Sequence, residues 1–342
     1  MSMDWSSFFP PGTPVLALPD WRNPRLYLPA QRPLQRWEQS SLYPASRPEA
    51  RLYRLLLRLG AAARLKEVRT AAASGWPLGE FVRGTLPRPA SVVVLMGTPG
   101  PAQKITAQLR DGKGRVLGYL KYAGTEAARR RLRQEWRVLS NLPGDIGPEP
   151  VKLGPLGDGL ALLQSAVGGR ALPAALPPPE GSTRLLDSLV LSPPMPLDEH
   201  PWVCRMRGSG PTEPEPWLRT LAEREWPVVI QHGDFAPWNL LRGTGGALRA
   251  IDWEYGALEG FPYLDLAFYI LQTSALIYRR APLDAARYAV EHLSGQPDLA
   301  LSRSEALALT RLAAYDAYLK SAEDGHAPDT RLQAWRRSVW RG

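Results

Sequence analysis

Short apolar runs bounded by turn-forming residues recur through the first half of the chain. Five segments have this character: 91–96, 105–110, 115–122, 150–154 and 159–165. Runs of this length, rich in β-branched residues and punctuated by glycine and proline, are typical of strands. Asp111-Gly112-Lys113-Gly114 between the second and third run is a strong hairpin signal. The pattern therefore predicts a small antiparallel sheet in this part of the chain.

Apolar residues at a period near 3.6 replace these runs in the second half. The segments with this amphipathic character are 125–141, 217–226, 262–278, 282–295, 303–322 and 328–340, with a shorter helix expected within 182–191. Such spacing is typical of helices that bury one face. The proline-dense stretch 171–217 interrupts this series and predicts an irregular insert. A mainly helical C-terminal half follows from the pattern.

The N-terminal 90 residues divide into an irregular part and a helix. Residues 1–47 are rich in Pro, Trp and Tyr without periodicity, which predicts an irregular segment that packs on the rest of the protein. Residues 48–70 predict a basic amphipathic helix. Its apolar stripe is Leu52, Leu55, Leu56 and Leu59, flanked by Arg51, Arg54, Arg58, Arg64 and Lys66. We favour a helix packed through the leucines, with a solvated basic face, over one that lies on a membrane.

Composition and charge bound the class of protein. The chain has 342 residues, 44% apolar and 22% charged, as in a soluble globular protein. A net charge of +9 favours attraction to phosphate-bearing ligands, to nucleic acid or to an anionic membrane, and charge alone does not choose among them. We predict no specific nucleic acid partner. The single cysteine, Cys204, fits a reducing compartment. Neither a signal peptide nor a transmembrane run is apparent, so a cytoplasmic location is expected.

The stretch 228–256 carries the candidate chemistry. Two apolar runs flank a tight loop, and each run delivers an acid, Asp234 and Asp252, while Asn239 follows Asp234 by five residues. Protein kinases use the same Asp-to-Asn step, in which one carboxylate orients a hydroxyl and an amide and a second carboxylate hold Mg²⁺. Each residue alone is also an ordinary turn residue, so their joint spacing carries the prediction.

The segments His232–Asn239 and Ile251–Glu254 resemble the aminoglycoside phosphotransferase and choline kinase superfamily. The resemblance implies an α+β, protein-kinase-like two-lobed fold with a small antiparallel-sheet N-lobe and a mainly helical C-lobe. We expect an N-terminal extension at 1–90, the N-lobe at 91–167 and the C-lobe at 168–342. The resemblance also implies an ATP-dependent and Mg²⁺-dependent kinase that phosphorylates a hydroxyl of a small molecule, with Asp234 as catalytic base.

Further roles follow from the same resemblance. Lys121 on the third strand would pair the ATP phosphates, and Glu135 on the next helix would pair with Lys121, with Glu126 as the alternative partner. Gly97 and Gly100 would belong to a phosphate-covering loop, although an ordinary turn is a serious competitor because Pro99 and Pro101 lack amide donors.

The segment that joins the lobes would bind adenine through the backbone of Gln164 to Val167. Near the catalytic loop, His232 is expected to hold the loop by hydrogen bonds, Asp265 to cap or brace it, and Trp238 to pack. Glu254 could approach Mg²⁺ or a cationic acceptor.

The acceptor stays open at this point. A sugar, a polyol, an amino alcohol or an aminoglycoside-like compound is compatible with the motifs, and the insert and C-terminal helices show no dense acidic cluster for a polycation. Two other classes remain. One is a catalytically weak or inactive nucleotide-binding module, favoured by the poor phosphate loop. The other is a protein kinase, disfavoured by Gly233 and by the lack of an Ala-Pro-Glu segment after Asp252. Oligomeric state and the choice of ATP over GTP are not predicted.

Overall fold

The computed structural model describes residues 5–20, 22–43, 48–62, 67–70, 75–100, 102–208 and 213–342. The chain forms two compact units. Unit 1 comprises Met1–Trp136 and Pro148–Val167, and unit 2 comprises Arg137–Gly147 and Gly168–Gly342. The predicted division into an extension and two lobes stays a prediction.

Unit 1 is built on one antiparallel sheet of eight strands. Its strands are β1 (Pro14–Leu18), β2 (Leu26–Pro29), β3 (Glu67–Arg69), β4 (Ser91–Met96), β5 (Lys104–Arg110), β6 (Val116–Ala123), β7 (Pro150–Leu156) and β8 (Gly159–Ser165). Its helices are α1 (Pro33–Gln39), α2 (Pro48–Ala62), α3 (Pro77–Val82) and α4 (Glu126–Leu139), whose last turn belongs to unit 2. The strand order is β3-β1-β2-β4-β5-β6-β8-β7. The five strands predicted from sequence are all present in this sheet.

The sheet of unit 1 is buried on both faces where β1, β2 and β4 lie. Val92 and Val94 of β4 enter one apolar cluster, and Val93 between them enters another on the opposite face. Successive strand residues point to opposite faces, so a strand buried on both sides has no polar positions to alternate with. The sequence of 14–29 therefore has no period of two. The prediction that residues 1–47 are irregular is wrong for β1, β2 and the helix α1.

Helix α2 packs with the face opposite to the predicted one. The helix ends at Ala62 rather than near residue 70, and Arg64 and Lys66 lie outside the described residues. Leu57 and Ala61 are buried in the cluster that covers β2, while the four leucines of the predicted stripe are 46 to 61% exposed. The expectation of a packed leucine stripe is wrong, because Leu57 and Ala61, one turn apart, contact the sheet instead.

Unit 2 is mainly helical, as predicted. Its helices are α5 (Ser182–Asp187), α6 (Pro201–Gly208), α7 (Glu215–Leu221), α8 (Leu264–Thr273), α9 (Pro282–Ser294), α10 (Arg303–Glu323) and α11 (Arg331–Arg341), and a π-helix at Ser274–Tyr278 continues α8. Its strands are β9 (Arg170–Ala171), β10 (Val229–Gln231), β11 (Leu240–Arg242), β12 (Leu248–Ala250) and β13 (Ala257–Gly260). No helix in the described ranges is long and apolar enough to cross a bilayer.

Two small antiparallel pairings support the stretch 228–256. β10 pairs with β13, and β11 pairs with both β9 and β12. Below β10 and β13 the ring of Phe261 contacts Trp202 and Trp226, all three fully buried. The strand β10, which leads into the loop 232–239, thus pairs with a strand that is anchored in a packed aromatic core, and this limits its movement.

Two leucines of α2 test the packing direction of this helix. Leu57→Ala should lower the free energy of unfolding by about 2–5 kcal/mol, because it leaves a cavity in the cluster over β2. Leu56→Ala, one residue away and 57% exposed, should change it by less than about 0.5 kcal/mol. Urea unfolding followed by circular dichroism measures both. A larger loss for Leu56→Ala than for Leu57→Ala would contradict the observed orientation.

Candidate active site

The loop 232–239 of unit 2 turns sharply at Gly233. This residue has φ of +77°, and a Cβ atom there would lie 2.2 Å from the carbonyl oxygen of Tyr255. Only glycine adopts this conformation without strain and leaves room for the neighbouring backbone. The close approach of residues 233 and 255 explains why glycine stands where protein kinases have arginine.

Asp265 holds this turn from the first turn of α8. Its Oδ2 accepts a hydrogen bond from the backbone N–H of His232 at 2.6 Å, and its Oδ1 accepts one from Gly233 at 2.8 Å. The side chain is 4% exposed, and burial raises the pKa of this carboxyl to about 6 although both N–H donors act in the opposite sense. Asp265 thus braces the loop, as the sequence indicated.

His232 connects the loop to the segment before Asp252. Its Nε2 lies 3.0 Å from the carbonyl oxygen of Ile251, and its Nδ1 lies 3.2 Å from the backbone N of Asp234. This arrangement requires Nε2 to donate and Nδ1 to accept. The ring also lies 4.5 Å from the Trp253 ring. The histidine is therefore a structural link, as predicted.

Asp234 and Asn239 are joined directly. The Asn239 Nδ2 atom donates to Oδ2 of Asp234 and to its backbone carbonyl oxygen, each at 2.9 Å. Burial, followed by the charge of Asp252, raises the pKa of Asp234 to about 7, while the hydrogen bond from Asn239 opposes the shift. Asp234 is therefore a carboxyl group whose pKa lies near neutral pH and which a neighbouring amide holds in one orientation.

Asp252 is the second residue after β12, and its charge acts on Asp234. Its φ of +67° is unusual for a residue other than glycine. Trp253 beside it is fully buried, and its indole N–H donates to the carbonyl oxygen of Ala250 at 2.9 Å. The charge of Asp252 reaches Asp234 strongly enough to raise the pKa of that carboxyl. Strained backbone of this kind often occurs where a side chain is positioned for function.

In unit 1, Lys121 of β6 and Glu135 of α4 form a buried ion pair. Lys121 Nζ lies 2.5 Å from Glu135 Oε1, and the side chains are 8% and 0% exposed. Glu126, the alternative partner, is exposed and pairs with Arg133 at 2.9 Å instead. The structure thus brings together the lysine and the glutamate favoured from sequence, while their role toward ATP stays a prediction.

A family comparison decides the class of this chain. The model of the phosphotransferase enzyme family matches residues 120–303, which is more than half of the sequence. The chain belongs to the phosphotransferase enzyme family. This membership confirms the suspected superfamily, the kinase-like α+β fold class and the prediction of a small-molecule phosphotransferase that acts on an alcohol group.

Several solved structures are distant matches to this phosphotransferase. A choline kinase from Cryptosporidium parvum Iowa II matches with a TM-score of 0.42 and 14% identity, over 73% of this chain and 87% of its own. An aminoglycoside phosphotransferase from Streptomyces rimosus matches with a TM-score of 0.33 and 17% identity, over 71% and 91%. A bifunctional kinase-methyltransferase matches with a TM-score of 0.31 and 13% identity, over 69% and 47%, so this chain spans about half of it. Among curated protein sequences none matches this chain.

The predicted phosphate loop of the phosphotransferase is a tight connection between β4 and β5. The backbone N–H of Gly97 donates to the carbonyl oxygen of Lys104 at 2.8 Å, and a Cβ atom at Gly97 would lie 2.5 Å from that oxygen. Glycine is thus required at position 97 by the close approach of the two paired strands. Gly100 has open space at its Cβ position. Contact of either residue with phosphate stays a prediction, and the ordinary-turn alternative gains support from the Gly97 hydrogen bond.

The predicted adenine segment lies at the end of β8. Gln164 is 6% exposed and has strand partners on both sides, Tyr119 of β6 and Pro150 of β7. Val167 lies two residues beyond the last residue of β8, where no strand partner is assigned within the described residues. Backbone groups outside a ladder are the ones available to a ligand. An adenine contact therefore suits Val167 better than Gln164, and both contacts stay predictions.

Arg336 of α11 is a buried cation whose charge acts on Asp234, and the sequence did not indicate it. It is 7% exposed, and its Nη1 donates to the Ala317 carbonyl oxygen, to Ser321 Oγ and to Gln333 Oε1 at 2.6 to 3.1 Å. Burial lowers its pKa to about 10, and the charge of Asp234 acts in the opposite sense. The pattern Trp335-Arg336-Arg337 on a C-terminal helix gives no signal that distinguishes this buried arginine from its half-buried neighbours.

Metal ligands in the described part of the chain do not form a dense cluster of the zinc kind. No group of three or more His, Cys, Asp or Glu side chains there could hold a metal ion. Asn239 and Asp252 offer only hard oxygen atoms, the donors that Mg²⁺ prefers, and Mg²⁺ sites commonly combine one or two protein carboxylates with phosphates and waters.

The buried ion pair of unit 1 gives a stability test. Lys121→Met should lower the free energy of unfolding by about 3–5 kcal/mol, because it leaves the Glu135 carboxylate buried without its cationic partner. The double variant Lys121→Met with Glu135→Met should be more stable than the single variant, since no charge is left in the site. Thermal and urea unfolding of the wild type, of Lys121→Met, of Glu135→Met and of the double variant measure this. A double variant as unstable as the sum of its single variants would contradict the pairing.

Proposed function

We propose that this phosphotransferase moves the γ-phosphate of ATP to a hydroxyl of a small molecule, with Asp234 as catalytic base. The observation that carries the proposal is the Asp234–Asn239 hydrogen bond on a loop braced by Asp265. A base must be oriented before its substrate arrives, because positioning and charge neutralisation supply most of the catalysis in phosphoryl transfer. A cytoplasmic location, where ATP is available, is part of the proposal.

Asp234 would accept or orient the proton of the acceptor hydroxyl. Its pKa near 7 makes the carboxylate more basic than an exposed aspartate while it still ionises near neutral pH. Asn239 restricts the rotation of the carboxylate by donating to one oxygen, so the other carboxylate oxygen can face the hydroxyl.

Asn239 and Asp252 fit the role of Mg²⁺ ligands. The Asn239 amide nitrogen is committed to Asp234, which leaves its carbonyl oxygen Oδ1 as the atom to coordinate a cation. Asp252 and Asp234 repel one another, as the raised pKa of Asp234 shows, and a cation would relieve this repulsion. When bound, Mg²⁺ neutralises the phosphate charge. Asp252 and Asn239 would hold this cation close to Asp234.

Lys121 would hold the phosphates of the nucleotide, and Glu135 would position Lys121. The 2.5 Å pair is buried in unit 1, so the ammonium group is kept in one place instead of moving in solvent. Gly97, Gly100, Gln164 and Val167 complete the proposed nucleotide contacts. Of these, Gly100 and Val167 have backbone environments that suit the role best.

The charge of Arg336 bears on which chemical class of acceptor the site would take. This arginine is the cationic side chain that acts on Asp234, whereas Asp252 and Asp265 are the anionic ones. A cationic group of the acceptor that came close to this buried guanidinium would be repelled by it. We therefore propose that the acceptor carries no cationic group near the reacting hydroxyl, as in a sugar, a polyol or an anionic derivative of either.

The second candidate is a nucleotide-binding module without useful catalysis. The Gly97 N–H, already bonded to the carbonyl oxygen of Lys104, favours weak catalysis, because a loop with few free amide donors positions the γ-phosphate poorly for transfer. A nucleotide-consumption screen over sugars, amino alcohols and aminoglycosides separates the two. Turnover with any hydroxyl compound supports the kinase, and tight binding of Mg-ATP with no turnover on the whole set supports the module.

The base can be tested by its effects on rate and stability together. Asp234→Asn should lower kcat by about 10²–10⁴-fold, the usual contribution of a positioned base. The same change should not lower the unfolding temperature, because burial already disfavours the charged form of this side chain. The exposed acid Asp284→Asn in the same unit serves as the control. Full phosphotransfer by Asp234→Asn would exclude Asp234 as the base.

Matched acceptors test the role of Arg336. Among glucose, glucuronate and glucosamine, which share a ring and differ in charge, glucosamine should have the lowest kcat/KM. Arg336→Gln should reduce the discrimination against glucosamine by about tenfold, equivalent to roughly 1.4 kcal/mol. Arg336→Lys, which keeps the charge, and Arg337→Gln next to it should preserve the order. Glucosamine as the best acceptor of the wild-type protein would contradict the proposed acceptor class.

A further inference from the structure

Helix α2 presents an apolar face to solvent. Leu52, Leu55, Leu56 and Leu59 are 61%, 46%, 57% and 54% exposed. Their spacing of three and four residues puts them on one side of the helix, as in a helix that buries this side. Of the ten large apolar side chains that are exposed in the described ranges, four belong to this one helix. Scattered exposed leucines are ordinary, whereas a contiguous row indicates a contact surface.

The leucine face is not needed to hold α2 in place. The opposite side of the helix supplies Leu57 and Ala61 to the buried cluster, and the ring of Tyr53 lies 5.2 Å from that of Tyr43. The cation of Arg58 also lies 5.3 Å from the Trp37 ring of α1. These contacts attach the helix to unit 1 and leave the leucine row to another contact.

Arginines occupy one flank of this leucine row. At 100° per residue, Arg51, Arg54 and Arg58 fall between the leucines and the buried side of α2. Burial, followed by the charges of Arg58 and Arg51, lowers the pKa of Arg54, so the three cations lie close together. Among the described side chains no carboxylate forms an ion pair with any of them. The face therefore combines a row of leucines with a group of cations that no carboxylate among the described side chains neutralises.

We propose that the leucine face of α2 docks this protein on an anionic lipid bilayer. Leucines that enter the boundary between headgroups and acyl chains, beside arginines that contact lipid phosphates, are the two parts of an interfacial helix. The 15-residue helix is about 22 Å long and would lie in the plane of the surface. The net charge of +9 also favours attraction of the whole protein to an anionic membrane.

A second copy of the chain is a poorer occupant of this face. Two antiparallel α2 helices joined through their leucines would place the same flank of each helix together. Arg51, Arg54 and Arg58 of both copies would then meet without a carboxylate between them, and such like-charge contacts oppose association. A lipid surface supplies the opposite charge instead.

Vesicle flotation with the full-length protein tests the proposal. The protein should float with vesicles of phosphatidylcholine and phosphatidylserine and remain in solution with phosphatidylcholine alone. Leu52→Ser with Leu56→Ser should lower the partition coefficient by about tenfold or more, because two leucines no longer enter the bilayer. The control is Leu283→Ser with Leu307→Ser, two exposed leucines on α9 and α10, which should leave it unchanged.

Charge reversal tests the arginine flank separately. Arg51→Glu should weaken flotation with the anionic vesicles and Arg331→Glu, an exposed arginine on α11, should not. Three results would overturn the proposal: wild-type protein that does not bind anionic vesicles, equal losses in the test and control variants, or a lipid-free dimer that Leu52→Ser with Leu56→Ser dissociates. The last result would assign the face to a second copy.

Discussion

The candidate active site depends on one carboxylate that accepts two backbone hydrogen bonds. Asp265 binds the N–H groups of His232 and Gly233 from the start of α8, and the turn at Gly233 can then bring its backbone close to Tyr255. His232 in turn contacts both Asp234 and Ile251. Asp234 and the segment that carries Asp252 are thus held by contacts with the backbone that do not depend on substrate. Preorganised groups of this kind need no rearrangement when charge develops in the reaction.

Three acids close to one another make this site electrostatically unfavourable without a ligand. The pKa values of Asp234 and Asp265 are raised by burial first, and Asp252 adds repulsion to Asp234. Arg336 offsets part of this charge from α11, where neutral oxygens hold its guanidinium. Groups with strongly shifted pKa values are common at functional sites, because the pKa of a catalytic group must suit its reaction rather than the stability of the fold. Phosphoryl transfer with a cation bound at Asn239 and Asp252 is consistent with this balance.

In unit 1 the spacing of the leucines in α2 correctly predicts a helix but not the side of the helix that is buried. The leucines of α2 indicated a helix, and a helix is present at Pro48–Ala62. The pattern did not indicate which side the sheet would cover, because Leu57 and Ala61 are also apolar and lie on another face. A leucine row is favourable wherever apolar area leaves water, whether into a core, a partner or a lipid surface. The tertiary structure selects among these by which side fits the sheet.

Strands β4 to β8, the helices of unit 2 other than α6 and the joint spacing of Asp234, Asn239 and Asp252 could be read from local order along the chain. Hydrophobic period and fixed spacing are properties of neighbouring residues, so they are readable along the chain. The strands β1 and β2 and the burial of Arg336 could not. Each depends on which segments meet in space. Burial on both faces removes the alternation that marks a strand, and an arginine shows its burial only through neighbours distant in sequence.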